Sequence, residues 1–285
     1  MTQYADRYWS SRDGLKLHYR DYEGRDDRLP IVCLHALTRN ARDFEKLAGR
    51  IAGDWRIICP EMRGRGQSEH ARDAATYNPL QYVEDLTVLL DELGIERFVP
   101  IGTSLGGLMT ILMGMMAPQR LAGAVINDVG PYLEPAGLSR IKDYVGQGRS
   151  FPTWVHAARG LEETQGAAHP GFDLSDWIGM AKNLMTLSGT GRIVFDYDMK
   201  IGEPFASLDV HAQPDIWPGL DGLAGKPVLI ARGALSDLFS KETLSGMVAR
   251  LGSADVVTIE NVGHAPTLNE PEAIAAIDRF LAALS

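Results

Sequence analysis

Residues 97–107, Arg-Phe-Val-Pro-Ile-Gly-Thr-Ser-Leu-Gly-Gly, constrain this chain more than any other stretch. A short apolar run, Phe98 to Ile101, leads into Gly102-Thr103-Ser104-Leu105-Gly106, and a helix-like segment, Leu108 to Ala117, follows at once. Strand, G-x-S-x-G, helix is the context in which a serine is lifted out of a sheet on a strained tight turn. Glycines on either side carry no Cβ, so strand and helix can approach closely. The turn sets the Ser104 hydroxyl at a helix N-terminus. Free N–H groups and the positive dipole end favour developing negative charge there. The pentapeptide alone is a weak pattern, because glycine and serine are common, so its partners decide its meaning.

A serine hydroxyl becomes a nucleophile when a base takes its proton, usually a histidine steered by a carboxylate. On such elbows an acid and then a histidine follow the serine along the chain. Of the seven histidines, His264 has the required setting. It lies in the loop Asn261-Val262-Gly263-His264-Ala265-Pro266, after the apolar strand Val256 to Ile259 and before a helix starting near Glu270. The acid is expected at the end of the preceding strand. Pro227 to Ala231 reads as that strand, and Asp237 follows it. Asp128 is the rival: it ends the strand Ala124 to Asn127, although Asn127-Asp128-Val129-Gly130-Pro131 also suits a plain turn. The expected catalytic set is therefore Ser104, Asp237 and His264. Two preset N–H donors should face the oxyanion. One is assigned to Leu105 and the other to Leu37, with Ala36 the near alternative, in the loop after the strand Ile31 to Leu34. His35 reads as a structural residue that holds this loop by hydrogen bonds.

The rest of the chain alternates strands with helices. A hairpin opens it, Tyr8 to Ser10 and Leu15 to Tyr22 about Arg12-Asp13-Gly14. Helices are expected over Ala41–Ile51, Pro79–Leu93, Lys241–Leu251 and Pro271–Leu284, and further strands over Trp55–Cys59, Leu121–Asn127 and Asp255–Ile259. This predicts an α/β fold, with a mostly parallel central sheet flanked by helices. From Pro131 to Pro218 the alternation breaks and aromatics gather, among them Tyr144, Phe172, Trp177 and Trp217. Residues 131–218 are expected to form an inserted, mainly helical cap over a core made of 1–130 and 219–285. Most of its aromatics should pack its own core, with two or three facing a substrate.

Taken together, His35-Ala36-Leu37-Thr38, the loop Pro60 to Ser68, the elbow at Ser104, Gly233 to Asp237 and Gly263-His264 resemble the α/β-hydrolase fold family in its cap-bearing branch. The resemblance spans essentially the whole chain. It implies a serine hydrolase cleaving a small, largely apolar carboxylic ester or lactone through an acyl-enzyme, with no cofactor. Relatives with the same triad cleave carbon–carbon bonds of ring-fission products, open enol-lactones or act as aminopeptidases, and some proteins of this fold are ligand receptors. An aminopeptidase needs a carboxylate cluster for an ammonium group, and Glu162-Glu163 is the candidate. The chain departs from the family pattern at Ala36, usually glycine, and at Glu61, usually aspartate. Serine at the elbow disfavours the dehalogenase and epoxide-hydrolase chemistries, which use aspartate.

Composition sets the partner class. The net charge of −9 and the lack of a basic cluster beyond Arg63-Gly64-Arg65 disfavour nucleic acid. Arg63 and Arg65 themselves read as solvated turn residues, and Asp196 and Asp198 as salt-bridge or capping groups rather than metal ligands. Met109, Met113, Met115 and Met116 read as core filler in the helix after the elbow. No apolar run reaches membrane-spanning length, the first residues do not read as a signal peptide, and Cys33 and Cys59 sit inside strands. The expectation is a cytoplasmic enzyme with a small-molecule substrate, no metal, and an oligomeric state left open.

Overall fold

The computed structural model describes residues 3–284. The chain enters through β1 (Ala5–Ser10) and β2 (Lys16–Tyr22), then β3 (Ile31–Leu34), α1 (Glu45–Ile51) and β4 (Ile57–Glu61). Helix α2 (Pro79–Glu92) leads to β5 (Val99–Thr103), α3 (Leu105–Met116) and β6 (Ala124–Asn127). An inserted stretch follows: α4 (Pro135–Tyr144), β7 (Ser150–Phe151), α5 (Trp154–Gln165), α6 (Leu174–Leu184), β8 (Met185–Leu187), β9 (Ile193–Phe195) and α7 (Gly202–Ala206). The chain closes with β10 (Val228–Gly233), α8 (Lys241–Leu251), β11 (Asp255–Ile259) and α9 (Pro271–Ala282).

One sheet runs in the order β1-β2-β4-β3-β5-β6-β10-β11. Its first pairings are antiparallel, and from β4 onward all are parallel. Strand side chains alternate between faces, and the two cores show it directly. Val32, Leu34, Ile58, Ile126 and Ile230 join α2, α3 and α8 on one face. Ile31, Cys33, Ile57, Ile101 and Leu229 join α1 and α9 on the other. Because helices cover both faces, the central parallel strands β3, β5 and β6 are nearly all apolar and buried, as such strands should be, whereas the outer strands β1, β2 and β11 carry charged residues.

Boundaries moved for local reasons. The expected helix Ala41–Ile51 begins with a tighter turn, Ala41–Phe44, capped by the Asn40 side chain on the Arg42 N–H. The strand expected over Trp55–Cys59 lies over Ile57–Glu61, while Trp55 bridges back to Ala52 and is buried under α1. Met109 and Met113 are buried, but Met115 and Met116 are exposed at the helix end, contrary to the core-filler expectation.

The inserted stretch is not purely helical. β7, β9 and β8 form a separate antiparallel sheet that no sequence pattern announces, because its strands are two or three residues long. Trp177, Phe151 and Ile193 pack a core of their own between α5 and α6. Tyr144 and Phe172 line the main cavity, and Phe172 also packs against Trp177.

Candidate active site

The elbow depends on close backbone approach. A Cβ on Gly106 would sit 2.0 Å from the Leu34 carbonyl oxygen, and one on Gly102 would sit 2.4 Å from the Gly106 backbone. Only hydrogen fits at either place, so α3 can start directly on top of β3 and β5. Between them Ser104 is held at φ 51°, ψ −111°, a conformation L-residues rarely adopt. Its N–H donates to the Asn127 carbonyl at 2.9 Å, which ties the turn to β6.

Ser104 Oγ lies 2.9 Å from His264 Nε2, and His264 Nδ1 lies 2.8 Å from Asp128 Oδ2. Asp128 and not Asp237 therefore stands on the ring, which corrects the expected acid. Asp128 is fully buried, at φ 54° directly after β6. Aspartate tolerates that left-handed turn better than most residues. Its Oδ1 accepts the Gly233 N–H at 2.8 Å, and its Oδ2 also accepts the Ser236 hydroxyl at 2.6 Å. Such donors fix the carboxylate plane against the His264 ring. Asn127, one residue earlier, donates to the Pro266 carbonyl at 2.8 Å and to Thr103 Oγ1 at 3.1 Å, so β6 also positions the histidine loop.

Asp237 has a different partner. After β10 the chain curls so that Ser236 faces Asp128, while Asp237 receives a two-pronged bond from Arg140 of α4 at 2.5 and 2.8 Å. Burial pushes the Asp237 carboxyl up, but the Arg140 guanidinium outweighs it and holds the carboxyl below its ordinary range. That pair fastens the inserted stretch to the sheet. The cation lies 97 residues away and no local pattern announces it.

Leu37 lines the same cavity as Ser104 and His264. Its loop is braced from behind. Arg65 Nε donates to the Leu37 carbonyl at 2.9 Å, and Arg65 Nη1 donates to the Arg63 carbonyl at 2.7 Å. Arg63 in turn makes a two-pronged pair with Asp85 of α2, both bonds 2.7 Å, and a second pair with Asp13. Both arginines are completely buried, not solvated as expected. Glu61 accepts N–H groups of Gln67 at 2.7 Å and Ala41 at 3.1 Å and pairs with His18, so its extra methylene is accommodated in a buried junction. Ala36 does not adopt a positive φ, so the turn does not demand glycine there. Leu105 opens α3, and a first-turn N–H has no acceptor within its own helix.

His35 plays the structural part foreseen for it. Its Nδ1–H donates to the Ala36 carbonyl at 2.8 Å, and its Nε2 accepts the Met62 N–H at 3.0 Å. Burial, assisted by the Arg65 charge, holds its pKa down to about 4. The folded chain thus refuses a proton that the unfolded chain takes up at its ordinary pKa of about 6.5. Stability from this group is complete above about pH 6.5 and is lost as pH falls toward 4. By pH 5 the loss from His35 alone should reach about 2 kcal/mol. Urea unfolding at neutral pH and at pH 5 checks this: His35→Gln should flatten the pH slope, and an unchanged slope refutes the assignment.

The cavity above Ser104 has a volume of about 970 Å³ and mixes apolar with charged walls. Residues of the inserted stretch, including Tyr144, His169 and Phe172, form part of its lining. Glu162 and Glu163 lie elsewhere, half-exposed and exposed on α5 and paired with Arg159 and Arg149, so they offer no ammonium clamp here. Asp196 pairs with Arg42, and Asp198 caps a short turn while accepting the Tyr77 hydroxyl, as expected of non-metal carboxylates. Among the described residues no cluster of three or more His, Cys, Asp or Glu could hold a metal, and no helix is long and apolar enough to cross a membrane.

Residues 31–277 match the protein family described as the alpha/beta hydrolase family. The chain belongs to that family. A crystal structure of an alpha/beta hydrolase from Novosphingobium aromaticivorans superposes with a TM-score of 0.94 at 57% identity, covering 99% of each chain. The 3-hydroxybutyrate-oligomer hydrolase of Cupriavidus necator is 34% identical over 93% of this chain and 92% of its own length. The 2-(acetamidomethylene)succinate hydrolase of Mesorhizobium japonicum is 24% identical over 88% of this chain and 87% of its own. An alpha/beta hydrolase with relatives of this kind is a hydrolytic enzyme.

Proposed function

We propose that this alpha/beta hydrolase is a serine esterase that forms an acyl-enzyme on Ser104. The observation that carries the reading is the unbroken line Ser104–His264–Asp128, with contacts of 2.9 and 2.8 Å. In this mechanism the His264 ring takes the hydroxyl proton as Ser104 attacks the ester carbonyl. The same proton then goes to the departing alcohol. Asp128 keeps the Nδ1–H tautomer and stabilises the imidazolium. The Leu37 and Leu105 N–H groups receive the oxyanion, and each such donor is worth about 3 kcal/mol in the transition state. His264 next activates water to release the acid.

The substrate class we favour is a short carboxylic ester whose acyl group carries a further oxygen. The name of the Cupriavidus relative supports it, as does a cavity whose walls include His169 and Arg39 as well as apolar groups. This narrows the small, largely apolar ester of the sequence reading. A fluorophosphonate probe tests the nucleophile. It should modify Ser104 alone and abolish turnover of a nitrophenyl ester in step with labelling, as read by peptide mass spectrometry. Labelling at another residue, or full turnover after Ser104 is occupied, overturns the reading.

A further inference from the structure

His169 is a polar side chain without a polar partner, placed in the cavity wall. Its residue is 3% exposed, and its Nδ1 is buried with no hydrogen-bond partner. The ring is stacked on Phe172, with centroids 4.5 Å apart, and meets Trp177 edge-on at 6.0 Å. Those aromatics fix its orientation but cannot serve its nitrogens. The imidazole lines the same cavity as Ser104 and His264. Its backbone is set by the adjacent Ala168 carbonyl, which accepts the Gly263 N–H at 2.6 Å, one residue before His264. The short turn that carries His169 is thus tied to the loop that carries the general base. A buried imidazole left unbonded costs free energy unless a ligand completes it.

We propose that His169 hydrogen-bonds an oxygen substituent on the acyl group of the bound ester, so that hydroxyacyl esters are preferred over plain acyl esters of the same length. This rests on the esterase reading above and names the residue that selects the substrate. Burial, with the charges of Arg39, His264 and Arg140 nearby, holds His169 to a pKa of about 4. It therefore remains neutral at neutral pH, with one ring nitrogen that donates and one that accepts, and either kind of nitrogen pairs with a hydroxyl, which can accept or donate.

The test compares 3-hydroxybutyrate and butyrate esters of one alcohol. The wild type should favour the hydroxylated ester in kcat/KM by at least about 10-fold. His169→Phe, which keeps the ring stack, should lower kcat/KM on the hydroxylated ester by about 10- to 100-fold more than on the butyrate ester. His169→Gln, which keeps a donor and an acceptor, should retain more of the preference than the Phe variant. Equal losses on both esters, or no loss on the hydroxylated one, overturn the inference. Fluorophosphonate labelling of Ser104 in both variants separates the two readings. A wild type that labels at Ser104 and cleaves both esters equally defeats the His169 role alone. A wild type that neither labels nor cleaves defeats the esterase reading and this inference with it.

Discussion

Asp128→Asn should lower kcat on a simple ester by about ten-thousand-fold, whereas Asp237→Asn should change it by less than about tenfold. The two carboxylates compete for one role, and the geometry separates them. Asp128 is buried and bonded to His264 Nδ1 at 2.8 Å. An amide there can present its NH2 to the ring, which favours the tautomer whose Nε2 carries the hydrogen and cannot accept the Ser104 proton. Asp237 is bonded to Arg140, so its amide variant should loosen α4 and raise KM more than it lowers kcat. Steady-state kinetics of the two variants side by side decides it. Comparable kcat losses for both, or a larger loss for Asp237→Asn, would refute the assignment of Asp128.

Asp85→Ala should destabilise the fold by about 3–5 kcal/mol. It leaves Arg63 completely buried, with only the half-exposed Asp13 as countercharge. In the wild type burial opposes the Arg63 charge and the Asp85 and Asp13 carboxylates outweigh it; without Asp85 the guanidinium, which is not deprotonated in proteins, keeps its charge and bears the burial cost. A matched apolar replacement tells pair chemistry from packing. Arg63→Met combined with Asp85→Leu should recover most of the loss, because a buried ion pair adds little net stability over hydrophobic groups of similar size. Urea unfolding of the single and double variants reads both numbers. A cost below about 1 kcal/mol for Asp85→Ala, or no recovery in the double variant, would refute the account.

The fold was legible because its signals are local. Alternating apolar runs and amphipathic helices such as Pro79–Glu92, with Asn78 capping and Pro79 in the first turn, declare themselves within a dozen residues. Ser104 and His264 were legible for a related reason: each follows a strand on the same edge of a parallel sheet, where loops gather. The acid was not. Two aspartates follow neighbouring strands, β6 and β10, and the choice depends on which way a short loop curls after Gly233. Arg140, the cation that claims Asp237, belongs to a helix whose docking no pattern within 131–218 reveals. The buried arginines misled for a similar reason. A turn rich in Arg and Gly looks solvated until Asp85 and the Leu37 carbonyl are found against it.

Ser104, His264 and Asp128 all stand on loops that leave one rigid sheet, while much of the ceiling above them comes from the stretch between β6 and β10. The hydrogen-bonded line Ser104–His264–Asp128 and much of the chamber over it are thus written in separate stretches of the sequence. A change to the chamber between those strands need not touch the side chains of that line. The Arg140–Asp237 tie is the joint that each new ceiling must replace or rebuild.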